Sequence, residues 1–264
     1  MSAPLLELAG LTLRYGGLTA VDGIDLSVAP NALDALIGPN GAGKTSLFNL
    51  ISGYVRPSAG GVRFDGAAIE SLSPARRARL GLGRTFQNLR LFSEASALET
   101  VLIGMHARLR ASLPEILARV GRFRHEEREA IEEARALLAF VGLAGRESAR
   151  AGALSYGDRR RLEIARALAL RPKLLLLDEP AAGMNPAETD RLRTLLEAVR
   201  ARGIALLLVE HDMNLVMRLA EKITVVNFGR RIFVGPPQDA RRDRAVLEAY
   251  LGAGAGRDEG ARGR

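Results

Sequence analysis

The chain has 264 residues, 47% of them hydrophobic and 26% charged, enough for a sizeable core and ordinary for a soluble protein. It has no cysteine, which excludes disulfides, thiolate metal sites and thiol nucleophiles. No apolar run approaches the roughly 20 residues that span a bilayer, and Met1-Ser2-Ala3-Pro4 lacks the basic and apolar regions of a signal peptide; a cytosolic chain is expected.

Residues 5–8, 11–15 and 20–28 alternate in polarity and predict three strands of a small antiparallel sheet. Tyr15, just before Gly16-Gly17, falls at a strand end, where an aromatic either stacks on a base or fills the sheet. Asn31 stands at a turn where Asn tolerates a positive φ. The apolar run Leu33–Ile37 predicts a strand, Gly38-Pro39-Asn40-Gly41-Ala42-Gly43-Lys44-Thr45 a glycine loop, and Ser46–Gly53 a helix. Strand, glycine loop and helix form the context that a G-x-x-x-x-G-K-[ST] phosphate loop requires. Its glycines let backbone N–H groups turn inward on an anion, and the helix N-terminus adds positive potential. Lys44 then reaches the terminal phosphates and the Thr45 hydroxyl takes Mg²⁺. Lys44 is one of three lysines, with Lys173 and Lys222, in a chain otherwise supplied with arginine. Arginine's planar fork cannot replace a compact ammonium in such a loop.

Residues 60–66 predict a further strand, Pro74 opens a short helix, and 81–87 give a strand ending in Gln87. From Ser96 to about Ala169 the apolar spacing is helical, with glycines as punctuation, as in a helical subdomain inserted into an α/β core. Leu154-Ser155-Tyr156-Gly157-Asp158 precedes a helix over 159–170, for which Ser155 is a reasonable N-cap. Leu174–Leu177 suits a strand buried on both faces. Asp178 and Glu179 at its end are costly unless they meet a cation or water, and ligands collect at such strand ends. A helix over 187–202, a buried strand over 204–209 and Glu210-His211-Asp212 follow. His211 reads equally as structural or functional from the residues alone. Helix 213–220 and strands 222–226 and 230–234 lead to a Gly/Arg-rich tail from Gly252, expected to be disordered.

In chain order, Gly38–Thr45, Gln87, Leu154–Asp158, Leu174–Asp178 with Glu179, Gly183-Met184-Asn185-Pro186 and His211 resemble the motifs of ABC transporter ATP-binding subunits. The resemblance covers nearly all of the chain up to Leu251. Within that family, Arg84–Phe92, Leu154–Gly157, Glu179–Pro186 and the ending Val246–Gly252 resemble the branched-chain amino acid uptake subgroup, of the LivG-like type. The implied fold is α/β: a P-loop ABC ATPase core, a mostly parallel sheet with an N-terminal antiparallel β subdomain, plus an inserted helical subdomain. One domain is expected over 1–251, with the core at about 1–87 and 171–235, helices at 88–170, a C-terminal helix at 236–251, and a tail at 252–264.

The resemblance also implies roles. Tyr15 stacks on adenine, and Gly38, Pro39, Asn40, Gly41, Ala42, Gly43, Lys44, Thr45, Ser46 and Gln87 bind ATP. Thr45, Gln87 and Asp178 hold Mg²⁺, Glu179 polarises the attacking water, and His211 holds the γ-phosphate. Leu154, Ser155, Tyr156, Gly157 and Asp158 complete the site of a second subunit in trans. Two departures stand out. Asn31 replaces a usual glycine, and Asp158 replaces the usual glutamine, which is expected to place a carboxylate near the partner's ATP and lower affinity there.

The expected activity is ATP hydrolysis coupled to branched-chain amino acid uptake at the cytoplasmic face of the bacterial inner membrane. A second ATPase subunit, in a heterodimer or homodimer, two membrane permeases and, indirectly, a periplasmic solute-binding protein are the expected partners. The region from Gln87 to Met105, with Leu89, Leu91 and Phe92, is expected to dock on the permeases. Import of a related amide or organic acid and lipopolysaccharide-type export are alternatives. The net charge of +8 also fits a DNA- or ribosome-associated ATPase, but such proteins carry paired cassettes, long coiled-coil arms or zinc motifs, which this chain lacks. No nucleic-acid partner is expected.

Overall fold

The computed structural model describes residues 3–86, 91–106 and 122–255. Gln87, Asn88 and Leu89, expected respectively at Mg²⁺ and in the docking surface, lie outside the described residues, as does the end of the tail from residue 256.

Strands β1 (Leu6–Tyr15) and β2 (Leu18–Val28) pair antiparallel, with Leu6 opposite Val28 and Leu8 opposite Leu26. The segments 5–8 and 11–15, expected as separate strands, form one strand with a register shift between Leu8 and Leu11. Gly10 takes φ 54° there and its N–H donates to Asp25 Oδ1 at 2.8 Å. A glycine bonded to the facing strand bulges β1 where a turn would have ended it. Next come β3 (Leu33–Ile37), α1 (Lys44–Ser52), β4 (Ala59–Phe64), β5 (Ala67–Ala68), α2 (Pro74–Arg79) and β6 (Leu82–Arg84). Helices α3 (Ala97–Met105), α4 (Arg122–Phe140) and α5 (Tyr156–Leu168) follow. The chain closes with β7 (Leu174–Asp178), α6 (Pro186–Ala201), β8 (Ala205–Val209), α7 (Met213–Leu219), β9 (Lys222–Asn227), β10 (Arg230–Gly235), α8 (Pro237–Ala240) and α9 (Arg244–Ala255). Instead of one C-terminal helix, Arg241–Asp243 separates α8 from α9. The latter runs to Ala255, so the first residues of the expected tail are helical.

The small sheet has the order β2-β1-β4-β5 and the large one β10-β9-β3-β8-β7-β6. In the large sheet β9, β3, β8, β7 and β6 run parallel and only β10 is antiparallel. Strands β3, β7 and β8 are buried throughout, as continuous apolar runs must be when both faces of a parallel sheet are covered. Their adjacent carboxyl ends deliver the phosphate loop, Asp178–Glu179 and Glu210–His211 to one edge, the place where open α/β sheets bind ligands. Asn31 takes φ 58°, so the residue in place of the usual glycine adopts the conformation that position needs.

On one side of the sheet, Val101, Met105, Ala134, Leu138, Leu162 and Ala165 from α3, α4 and α5 share a core with Leu175 and Leu177 of β7. A Cβ on Gly104 would come within 2.3 Å of the Arg166 carbonyl; glycine is what lets α3 and α5 approach. No helix among the described residues is long and apolar enough to cross a membrane.

Candidate functional site

The loop after β3 is shaped by steric limits. A Cβ on Gly38 would meet the Val226 carbonyl oxygen at 2.1 Å, and one on Gly43, at φ 102°, the Ala20 carbonyl oxygen at 2.5 Å. The N-cap of α1 is Gly43, so the first backbone N–H groups of that helix open onto a cleft of about 620 Å³. Asn40, Gly41, Ala42, Gly43, Lys44, Thr45 and Ser46 line it, together with Tyr15, Thr19, Glu179 and Phe228. The Lys44 ammonium is buried and donates to the Gly38 and Pro39 carbonyls at 2.6 and 2.9 Å. Burial lowers its pKa, opposed by the charges of Glu179 and Asp178, so an anion in the loop would favour its charged form. At the far end of the cleft Tyr15 is exposed, and Phe228, at φ 45°, is 85% exposed.

Strand β7 ends with Asp178 buried and Glu179 at φ 47°, in the left-handed region. A non-glycine residue there costs about 1–3 kcal/mol and persists only where its surroundings enforce it. The Glu179 N–H donates to the Val209 carbonyl at 2.9 Å. Its Oε2 lies 3.8 Å from His211 Nδ1, which is also 4.0 Å from Glu210 Oε2. Glu210 itself is fully buried; its Oε1 accepts the Ala181 N–H at 2.7 Å and its Oε2 the His211 N–H at 3.1 Å. Burial raises its pKa, and these N–H donors oppose the shift. On the other side of Asp178, Arg84 Nη2 donates to Oδ2 at 3.0 Å, and the Thr85 hydroxyl accepts the Asp178 N–H at 3.4 Å.

The donor set suits Mg²⁺ held on a nucleotide. Among the described residues no three His, Cys, Asp or Glu side chains could cage a metal. One carboxylate, one exposed hydroxyl on Thr45 and room for phosphates are what a hard cation that keeps its waters uses. Of the three expected ligands, Thr45 lines the cleft, Asp178 is buried beside Glu179, which also lines it, and Gln87 lies outside the described residues.

Leu154, Ser155, Tyr156, Gly157 and Asp158 are elsewhere. Ser155 caps α5, its hydroxyl accepting the Asp158 N–H at 3.2 Å, which leaves its own O–H free to donate. Ser155, Gly157 and Asp158 line a separate cleft of about 200 Å³ with Met184 and Glu188, and no residue of it lines the phosphate-loop cleft. Asp158 is bonded to Arg161, which also donates to the Gly142 carbonyl at 3.1 Å. The Asp158 carboxylate therefore has a counter-charge within its own chain. Further along α5, Arg160 donates to the Phe86 carbonyl at 2.7 Å and Glu163 accepts the Phe86 N–H at 3.1 Å. The two also pair with each other at 3.0 Å, both fully buried. The sequence reading gave no role to Arg84, Arg160, Glu163, Glu210 or Phe228. Arg160 and Glu163 carried one available signal: opposite charges three apart on a helix whose neighbours Leu162, Ile164 and Ala165 are apolar.

Residues 21–182 match the family model described as ABC transporter. The chain belongs to the ABC transporter family. Residues 230–256 of this ABC ATPase match a second model, described as branched-chain amino acid ATP-binding cassette transporter. It is 46% identical to the high-affinity branched-chain amino acid transport ATP-binding protein BraF of Pseudomonas aeruginosa, over 96% of this chain and 99% of the relative. Against the corresponding LivG protein of Escherichia coli the identity is 42% over the same shares. The ABC ATPase also superposes on the ADP conformation of an ATP-binding cassette of an ABC transporter with a TM-score of 0.84, at 30% identity, covering 95% of this chain and 100% of that one.

Proposed function

We propose that this chain is the ATP-binding and ATP-hydrolysing subunit of an ABC importer that takes up branched-chain amino acids. Its place is the cytoplasmic face of the bacterial inner membrane, with a second ATPase subunit, two permeases and a periplasmic binding protein. The carrying observation is the separation of two half-sites on one chain: the phosphate loop lines one cleft and the Ser155 segment another. Each half faces what the other lacks, so the arrangement works when two ATPase subunits meet with one nucleotide between each pair of halves.

In this reading Tyr15 stacks on the base, residues 38–46 wrap the phosphates, and Lys44 exchanges carbonyl partners for phosphate oxygens. Thr45, Asp178 and Gln87 would hold Mg²⁺, which would neutralise charge on the phosphates. Glu179 orients and takes a proton from the attacking water, and His211 steadies the γ-phosphate. Phosphoryl transfer needs little more than such positioning and charge neutralisation. The partner's Ser155 segment closes the site.

Reconstitution tests the proposal. The chain, with a second ATPase, two permeases and a binding protein from the same cell, is placed in proteoliposomes and ATP-driven leucine uptake is measured. Uptake lost on Glu179→Gln supports the reading; ATP-dependent movement of another solute class, with leucine ignored, overturns the substrate assignment.

A further inference from the structure

Arg84 has no place in the roles above, yet its side chain is only 6% exposed and bonds three side chains on two other structural elements. Nη2 donates to Asp178 Oδ2 at 3.0 Å, and Nη1 donates to Asn49 Oδ1 at 2.8 Å and Ser52 Oγ at 2.7 Å. Asn49 and Ser52 are on α1, the helix that begins at Lys44 and Thr45; Asp178 ends β7. The guanidinium lies 4.9 Å from the centroid of the Phe86 ring and 5.7 Å from those of Phe48 and Tyr54. Phe86 and Tyr54 themselves meet edge to face at 5.7 Å.

We propose that Arg84 is a positioning residue for the metal: it fixes the Asp178 carboxylate relative to Thr45, so that both present oxygens to one Mg²⁺. This rests on the reading of Thr45 and Asp178 as metal-side groups. The ion would draw on two elements, α1 and β7, and Arg84 is a side chain that bonds both. An aspartate at a strand end can rotate its carboxylate; a charged fork that takes Oδ2 from a set direction removes that freedom and would leave the other oxygen to serve the metal side. The aromatic rings hold the guanidinium plane and keep water from competing for it. Lysine would not substitute, because one ammonium on a flexible stem does not span Asn49, Ser52 and Asp178 together.

A purely structural ion pair makes a different prediction, so the test separates metal affinity from nucleotide affinity. A fluorescent ATP analogue is titrated into wild type, Arg84→Met and Arg84→Lys in EDTA, and Mn²⁺ binding to the nucleotide-loaded proteins is followed by the loss of its free EPR signal. In EDTA the affinity for the analogue stays within about twofold of wild type, while Mn²⁺ affinity falls at least about tenfold in Arg84→Met and less in Arg84→Lys. Unchanged Mn²⁺ affinity in a folded Arg84→Met protein overturns the proposal, as does an equal loss of affinity in EDTA. A wild-type protein whose nucleotide complex binds no Mn²⁺ overturns the metal reading itself. Should Arg84→Met fail to fold, Asn49→Ala with Ser52→Ala frees the other end of the fork. The same selective Mn²⁺ deficit, smaller in size, is then expected, and its absence counts against the role.

Discussion

Glu210 Oε1 accepts the Ala181 N–H at 2.7 Å, so the strand end that carries His211 is bonded to the turn that carries Glu179. The same carboxylate takes the His211 N–H through its other oxygen. One fully buried side chain thereby sets the 3.8 Å spacing between Glu179 and His211.

Glu210 should show itself in the pH dependence of stability. Its folded pKa is raised above the ordinary 4.5 by burial. The unfolded chain therefore gives up this proton at lower pH than the folded one, and stability associated with the group is full below about 4.5 and declines as pH rises through the folded value. Glu210→Gln does not titrate. The difference in Tm, variant minus wild type, should therefore grow in the variant's favour as pH rises from about 4.5 to 8; a flat or falling difference refutes the linkage.

Lys44 and Glu179 should separate binding from turnover. Lys44→Ala removes the compact cation inside the loop and is expected to abolish ATP binding in equilibrium titration. Glu179→Gln keeps the cleft and its charge partners, so ATP binds while single-turnover hydrolysis falls roughly 10²-fold or more, the scale of a lost general base. Wild-type hydrolysis by Glu179→Gln would remove it from the catalytic role.

The proposed pairing of the two clefts predicts a shared active site. Specific ATPase activity should rise with protein concentration and with addition of the second ATPase subunit. Ser155→Ala should depress activity while leaving ATP binding to the isolated chain intact. Vigorous hydrolysis by a monomer, independent of concentration, contradicts the arrangement.

Asp158 gives a complementary test. Because Arg161 pairs with it, Asp158→Gln should change ATP affinity in the assembled dimer by less than about threefold, the scale of a single weak ion pair. Arg161→Met should instead lower thermal stability by about 1–3 kcal/mol, since the Gly142 carbonyl loses a charged donor. A large affinity gain in Asp158→Gln would show that its charge does reach the nucleotide.

For membrane docking, Leu91 and Phe92 are no longer equivalent. Leu91 packs against the core shared by the sheet and α3–α5, whereas Phe92 is 65% exposed. Leu91→Asp should destabilise the fold. Phe92→Ala should leave ATP binding and Tm unchanged and lower recovery in membrane fractions when the permeases are present; full recovery would place the contact elsewhere.

Much of this was legible in the residues because the needed signals are local. Leu33–Ile37, Leu174–Leu177 and Ala205–Val209 are uninterrupted apolar runs, and the loop from Gly38 to Thr45 carries its steric requirement in its glycines. Asn31 announced a positive φ through its residue type. Gly10 misled because a glycine inside a strand pattern marks either a turn or a bulge, and the choice falls to a partner fifteen residues away, Asp25. Arg84, Glu163 and Glu210 were missed for a related reason. A charged residue in an apolar segment reads as a surface position until the fold shows what surrounds it, and their partners lie 94, 77 and 29 residues distant.

The grip of Arg160 and Glu163 on Phe86 bears on timing. Helix α5 holds both the N–H and the carbonyl of the residue just before Gln87, and the same helix begins at the Ser155 segment proposed to face a neighbour's nucleotide. A displacement of α5 would be passed to Phe86 through these two bonds. In the proposed dimer, α5 would then join one chain's phosphate-side backbone at Phe86 to the segment it offers its neighbour, so a displacement at either place would be passed to the other.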